Sequence, residues 1–265
     1  MIVDRNEVNM NGIYEITNLT FSYDKNPILK GISFQIPEGK ITTILGPNGC
    51  GKSTLFHLMT KNLKPNGGTL ELEGTEVSKI KLKDFAKKVA VVHQYNTAPA
   101  DFTVEKLVAL GRTPYKQRYK GNSKEDLKWI DWALEVTNLT DFRDRLVTDL
   151  SGGQRQRVWI AMALAQNTKV LLLDEPSTYL DIYYQLEILK LIQRLNQEYG
   201  ITIVMILHDI NQAVHYSDNI IALNQGKVLV QGDPAKVIHQ ESIQELYQVN
   251  LDVIQVGDKP FVLTV

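Results

Sequence analysis

The chain has 265 residues, 43% of them hydrophobic and 22% charged, and its 29 basic against 30 acidic side chains leave a net charge of -1. That is enough apolar material for one large or two modest domains, without a global positive field for nucleic acid. The single cysteine, Cys50, excludes an internal disulfide and a multi-cysteine metal site. The longest apolar run, Ile201 to Leu207, is far too short to span a bilayer, and Met1 to Tyr14 has no hydrophobic segment of the signal-peptide kind. A cytoplasmic chain is expected, with any membrane connection made through a partner.

Ile13 to Ile36 reads as short strands punctuated at Asp24-Lys25-Asn26-Pro27 and Pro37-Glu38-Gly39, a β-rich opening layer. Lys40 to Leu45 is a β-branched buried strand that enters a glycine loop, and Ser53 to Asn62 then has helical periodicity. Gly67 to Gly74 returns to short strands, and Val89 to Val92 is an apolar strand ending at His93-Gln94. From Val104 to Ala165 the pattern is helical, with a polar loop at Tyr119 to Ser123, and reads as an inserted helical subdomain. Val170 to Leu173 and Ile201 to Leu207 are continuous apolar strands separated by an amphipathic helix at Tyr183 to Tyr199, as in a sheet covered on both faces. Ile220 to Leu223 and Lys227 to Val230 flank Asn224-Gln225-Gly226, a hairpin signal, and Gly232-Asp233-Pro234 opens a short helical tail. The whole implies a doubly wound α/β core without an internal repeat.

Two glycine loops carry the chemistry. Gly46-Pro47-Asn48-Gly49-Cys50-Gly51-Lys52-Ser53-Thr54 fits the Walker A pattern in its required strand, loop, helix context. Its glycines let backbone N–H groups wrap phosphates, Lys52 reaches the β and γ phosphates, and the Ser53 hydroxyl is offered to Mg²⁺. Leu150-Ser151-Gly152-Gly153-Gln154 is a second turn of the same kind far downstream. Such turns aim backbone N–H groups and a helix dipole at an anion. One nucleotide-binding core has no use for two of them, so the second is expected to serve ATP held by another copy.

Asp174 and Glu175 end an apolar strand, where open α/β sheets hold their ligands. Asp174 suits the Mg²⁺ shell, and Glu175 can polarise an attacking water. His208, at another strand end, is a candidate for holding the γ-phosphate and that water. Gln94 is a candidate for completing the metal shell or positioning water. Tyr23 could stack on an adenine, although composition alone reads it as core. Cys50, at the helix start, is expected to have a lowered thiol pKa, so that its alkylation blocks nucleotide binding.

Taken together, the Walker A loop, Gln94, Leu150 to Gln154, the carboxylate pair, Ser177 to Asp181 and His208 occur in the order found in ATP-binding cassette (ABC) proteins, which this chain resembles over essentially its whole length. The resemblance implies an α/β P-loop NTPase cassette. Its RecA-like core with an antiparallel β subdomain would occupy 13–94 and 166–232, its helical signature subdomain 95–165 and a short tail 233–265. It further implies that Tyr23 stacks on adenine, Gln94 is the Q-loop residue, Asp174 and Glu175 form Walker B, Asp181 belongs to the D-loop and His208 is the switch histidine. Ser151, Gly152, Gly153 and Gln154 would close over ATP bound by a second copy. Ser177 stands where the family usually has threonine, which keeps the hydroxyl.

Gly46 to Gly51, Leu107 to Tyr115, Arg155 to Gln166 and Ser177 to Ile182 bring the likeness closer to the ATPase subunits of iron-chelate importers, most of all the siderophore branch. This implies ATP and Mg²⁺ as cofactors, membrane permease subunits as partners, an extracytoplasmic substrate-binding protein as an indirect one, and a place on the cytoplasmic face of the membrane. Haem and cobalamin import remain alternatives. Arg112, Lys116 and Arg118 with Tyr115 and Tyr119 are read either as a solvated face or as part of the groove that docks a permease helix. Other readings are a soluble ABC ATPase of DNA repair, translation or iron-sulfur assembly, and a regulatory module that does not hydrolyse. The chain has neither the coiled-coil insertion of the repair members nor the paired cassettes of the translation members, and Glu175 with His208 argues against the regulatory module.

Overall fold

Two 12-residue strands, β1 (Gly12–Tyr23) and β2 (Asn26–Pro37), open the structure, a computed structural model that describes residues 12–116 and 121–264. They form one long antiparallel hairpin where the sequence pattern suggested several short strands. The cause is a set of register shifts, one of them between Ile16 and Leu19 around Asn18 at φ 48, which interrupt the period-two alternation without ending the pairing. With β4 (Gly67–Leu72) and β5 (Thr75–Glu76), the hairpin makes a four-stranded sheet in the order β2-β1-β4-β5.

The core follows in chain order. Strand β3 (Ile41–Leu45) leads into helix α1 (Lys52–Met59), followed by β4 (Gly67–Leu72), β5 (Thr75–Glu76), the short α2 (Leu82–Phe85) and β6 (Val89–Val92). The helical stretch comprises α3 (Val104–Val108), which runs on as a 3-10 helix through Ala109–Tyr115, then α4 (Lys124–Val136) and α5 (Gly152–Ala165). The chain then returns to β7 (Val170–Asp174), α6 (Ile182–Tyr199), β8 (Thr202–Ile206), α7 (Ile210–Tyr216) and the hairpin β9 (Asn219–Asn224) and β10 (Lys227–Gly232). The tail holds α8 (Pro234–Val237), α9 (Gln240–Tyr247) and a hairpin, β11 (Val253–Val256) with β12 (Lys259–Val262). The tail is therefore not only helical. Gly257 at φ 66 with Asp258 makes the turn between those last strands.

The second sheet has the order β10-β9-β3-β8-β7-β6, with β9, β3, β8, β7 and β6 parallel and β10 antiparallel at one edge. Its parallel strands are buried on both faces, and side-chain alternation divides them between two cores. Val170, Leu172, Val204 and Ile206 face α1 and the antiparallel sheet, while Leu171, Leu173, Ile203 and Met205 face the helical layer. Tyr14 of β1 donates its hydroxyl to Met59 O at 3.0 Å, which fastens the antiparallel sheet to the end of α1, and burial pushes its phenol pKa far up.

Candidate functional site

The parallel strands deliver the predicted residues to one edge. The loop after β3 carries Gly46 to Lys52, β8 is followed by His208, β7 ends at Asp174 with Glu175 next, and β6 is followed by His93 and Gln94. Because β3, β8, β7 and β6 are neighbours in this order, all four groups lie side by side at the carboxyl ends.

The first glycine loop is held from inside. Lys52, only 6% exposed, donates its Nζ to Gly46 O at 2.7 Å and to Pro47 O at 3.0 Å. Gly46 has φ 146, and a Cβ there would lie 2.2 Å from Leu223 O, so only glycine fits. Helix α1 starts from Gly51 at φ 111 with no side-chain cap, which leaves its first N–H groups turned to the loop as an anion seat. Ser53 is exposed at that start and Thr54 is buried. Cys50 differs from expectation. It is 3% exposed, and burial raises its thiol pKa, with Lys52 and backbone hydrogen bonds only partly opposing. Desolvation outweighs the helix N-terminus here.

Glu175 is the centre of the carboxylate site. Its Oε2 accepts from Gln94 Nε2 at 2.6 Å and from the Thr178 hydroxyl at 3.1 Å, and its Oε1 lies 2.5 Å from His208 Nε2. Its backbone sits at φ 50, a left-handed conformation that costs a non-glycine residue energy. Asp174 is 9% exposed. Burial first, then the charge of Glu175, raises its carboxyl pKa, while His57, His208 and Lys52 pull the other way. A crowded pair of acids of this kind favours a cation beside it.

The second glycine loop opens α5 and satisfies its own helix end. The Ser151 hydroxyl accepts from Gln154 N at 3.3 Å, and Gln154 Oε1 accepts from Ser151 N at 2.9 Å, a reciprocal capping box. Ser151 and Gly152 are exposed, whereas Gly153 is buried. A Cβ on Gly153 would lie 2.2 Å from the Tyr184 ring. Asp181 is exposed and caps α6, accepting from Tyr184 N at 3.1 Å. Tyr23 is 46% exposed at the end of β1, against the core assignment that composition suggested.

Arg112 corrects the docking face. It is 1% exposed, pairs with Asp126 Oδ1 at 2.9 Å, donates to Ala165 O at 2.8 Å and lies under the Tyr115 ring. It is an internal tie among α4, α5 and the 3-10 segment, so it presents no charge to a partner. Arg118 and Tyr119 of the same motif lie outside the described residues. Two groups near Glu175 escaped the sequence reading. One is Thr178, whose signal was its place three residues on in the same turn. The other is the hydroxyl pair Tyr95 and Tyr179 at 2.7 Å, which joins the residue after Gln94 to the segment after Glu175.

Comparison with known proteins agrees with this geometry. The ABC transporter family model matches residues 29–178. The petrobactin import ATP-binding protein FpuC of Bacillus anthracis is 43% identical over 246 residues, covering 93% of this chain and 90% of that protein. The iron(3+)-hydroxamate import ATP-binding protein FhuC of Bacillus subtilis is 44% identical over 236 residues, covering 89% and 88%. Among solved structures, the dimeric MJ0796, a bacterial ABC transporter cassette, superposes with a TM-score of 0.71 at 31% identity, over 83% of this chain and 98% of that one. A phosphate loop, paired carboxylates and a histidine on one sheet edge, with this likeness over most of the length, place the chain in the ABC transporter family as an ATP-binding ATPase.

Proposed function

We propose that this chain is the ATPase subunit that powers import of an iron chelate of the ferric siderophore class through a membrane permease. The observation that carries the hydrolytic half is the meeting of Gln94 and His208 on Glu175, beside Lys52 and Asp174. The import half is supported by likeness to two iron-chelate import proteins at 43% and 44% identity.

In this reading Tyr23 stacks on adenine, the backbone of Gly46 to Thr54 wraps the phosphates and Lys52 contacts the β and γ groups. Glu175 polarises the attacking water, and His208 holds it in line with the γ-phosphate. Ser53, Asp174 and Gln94 would hold Mg²⁺. A hydroxyl, a carboxylate and an amide oxygen are hard donors that suit it, and Gln94 gives only its Nε2 to Glu175, which leaves its oxygen for the metal. Bound there, the ion neutralises charge on the transferring phosphoryl group.

Ser151 to Gln154 of one copy would close over ATP held by Lys52 of a second, with Asp181 at the same interface. The dimeric MJ0796 cassette offers a precedent for two copies. Residues 95–165 act as the signature subdomain and 13–94 with 166–232 as the ATP core. No helix among the described residues is long and apolar enough to cross a membrane. The chain would sit peripherally on the cytoplasmic face, bound to permease subunits and served indirectly by an extracytoplasmic binding protein.

Affinity purification from membranes with identification of the co-purified permease tests this, followed by uptake of labelled ferric siderophore, haem and cobalamin in cells lacking the chain. A permease partner and loss of siderophore uptake alone are expected. Recovery of soluble partners only would overturn the transport role, and loss of haem or cobalamin uptake would reassign the cargo.

A further inference from the structure

Helix α7 starts two residues after His208. Its first turn is capped by Asp209, whose Oδ1 accepts from Gln212 N at 2.7 Å. Gln212 Nε2 donates to Gln185 Oε1 of α6 at 2.9 Å, Ala213, Val214 and Tyr216 pack into the core, and the C-terminal hairpin adds polar ties at both ends. Asn211 Nδ2 donates to Val262 O at 3.0 Å and Asn211 Oδ1 accepts from Val262 N at 2.8 Å, so one side-chain amide pairs with β12 as a strand would. At the other end of the helix, Lys259 of the same strand donates its Nζ to His215 O at 2.7 Å and Val214 O at 3.2 Å. These are carbonyls of the last turn, where a cation also complements the helix dipole. One strand thus grips α7 at both ends.

This matters because His208 has little else to orient it. Its side chain is 46% exposed, and the hydrogen bond that the structure gives it is the one to Glu175. Its position is therefore set by backbone, by β8 before it and α7 after it. A sub-ångström shift of α7 would change a hydrogen bond that a rate depends on. The two-stranded hairpin has little stability of its own, so it is ordered by its attachment to α7 together with the burial of Val262 in the core.

We propose that Asn211 and Lys259 are positioning residues for ATP hydrolysis, and that the β11–β12 hairpin holds His208 in place against Glu175 through α7. This rests on the assignment of His208 and Glu175 to the hydrolytic site.

The test uses the full chain with Asn211→Ala, Lys259→Met, His208→Ala and a control, Asn224→Ala. Asn224, at the end of β9, donates its side chain to Glu245 O of α9 and so ties a different C-terminal element to the core. Steady-state ATPase with Mg²⁺ should show kcat lowered about tenfold in Asn211→Ala and Lys259→Met, with KM for ATP within about twofold of the parent. Asn224→Ala should keep the parental kcat even if its Tm falls as far. Should Asn211→Ala not fold, Lys259→Met, which removes the ammonium and keeps the methylenes, gives the answer. Parental kcat in Lys259→Met, or an equal loss in Asn224→Ala, overturns the proposal. Full activity in His208→Ala would instead remove the site assignment beneath it, so the two failures are distinguishable.

Discussion

His208 and Glu175, 33 residues apart in sequence, meet through Nε2 and Oε1 at 2.5 Å, and Gln94 occupies the other carboxylate oxygen. A carboxylate held from both sides on a left-handed backbone has little freedom to rotate, which is what a group that must align a water requires. Glu175→Gln keeps the shape and removes the proposed base. It should lower ATP turnover by about 100- to 10,000-fold and leave ATP binding intact. In ATP and Mg²⁺ the variant should run as a dimer on size exclusion, and a monomer there would refute the composite site.

Cys50 should resist thiol reagents in the folded protein. Burial keeps the thiol protonated to higher pH than usual and leaves it 3% exposed. Since the thiolate is the reactive form, labelling with a disulfide reagent at pH 8 should be at least about 100-fold slower than in urea. Rapid native labelling would contradict the burial.

Arg112→Glu should unfold the helical layer instead of selectively uncoupling a partner. Breaking one side of a buried ion pair costs roughly 3–5 kcal/mol, which a urea melt would register as a large fall in midpoint. The pair also has a pH signature. Burial pushes the Asp126 carboxyl up, but hydrogen bonds from Arg112 and Ser123 outweigh it, and the folded pKa is lowered. A lowered folded value means a stabilising contribution present in full above the ordinary carboxylate pKa of about 4 and lost as pH falls through the depressed value. The stability gap between the parent and Asp126→Asn should therefore be constant near neutrality and close in strong acid.

Gly153 and Gly152 should behave differently although both belong to the signature loop. A Cβ on Gly153 would clash with Tyr184 at 2.2 Å, whereas on Gly152 the nearest atom is Leu180 Cδ2 at 3.6 Å. Gly153→Ala should lower Tm, and Tyr184→Ala should restore part of the loss in the double variant. Gly152→Ala should keep the parental Tm, so any loss of ATPase in it reports on nucleotide contact. Thermal melts of the four proteins decide this.

The site was legible wherever a residue stood at the end of an apolar strand. Gln94, Asp174, Glu175 and His208 were each marked by a buried run ending in a polar side chain, and Lys52 by the glycine loop that leads into α1, patterns that survive without knowledge of contacts. Arg112 was not legible, because a charge in a helical stretch looks solvated until its partner Asp126, 14 residues on, is placed beside it. Cys50 was misread because the helix-terminus rule is local while desolvation comes from Leu55, Phe56 and the other buried side chains of its core. The long opening hairpin was hidden by its bulges. The C-terminal hairpin did carry a signal, the turn pair Gly257-Asp258 between the short runs Val253–Val256 and Lys259–Val262, and its importance lies in Asn211 and Lys259, which no pattern connects.

The two glycine loops differ in what they leave unsatisfied. Helix α1 has no side-chain cap, so its open amide groups and Lys52 make a strong seat for a polyanion. Helix α5 already turns its Gln154 N–H to the Ser151 hydroxyl and leaves the N–H groups of Gly152 and Gly153 outside the capping box, so it would add the lighter contact. Tight holding by one copy and light touching by the other would make the closed pair conditional on the γ-phosphate, and easily released once that group has gone. Capping at the second loop would thereby favour repeated cycling over a permanent grip.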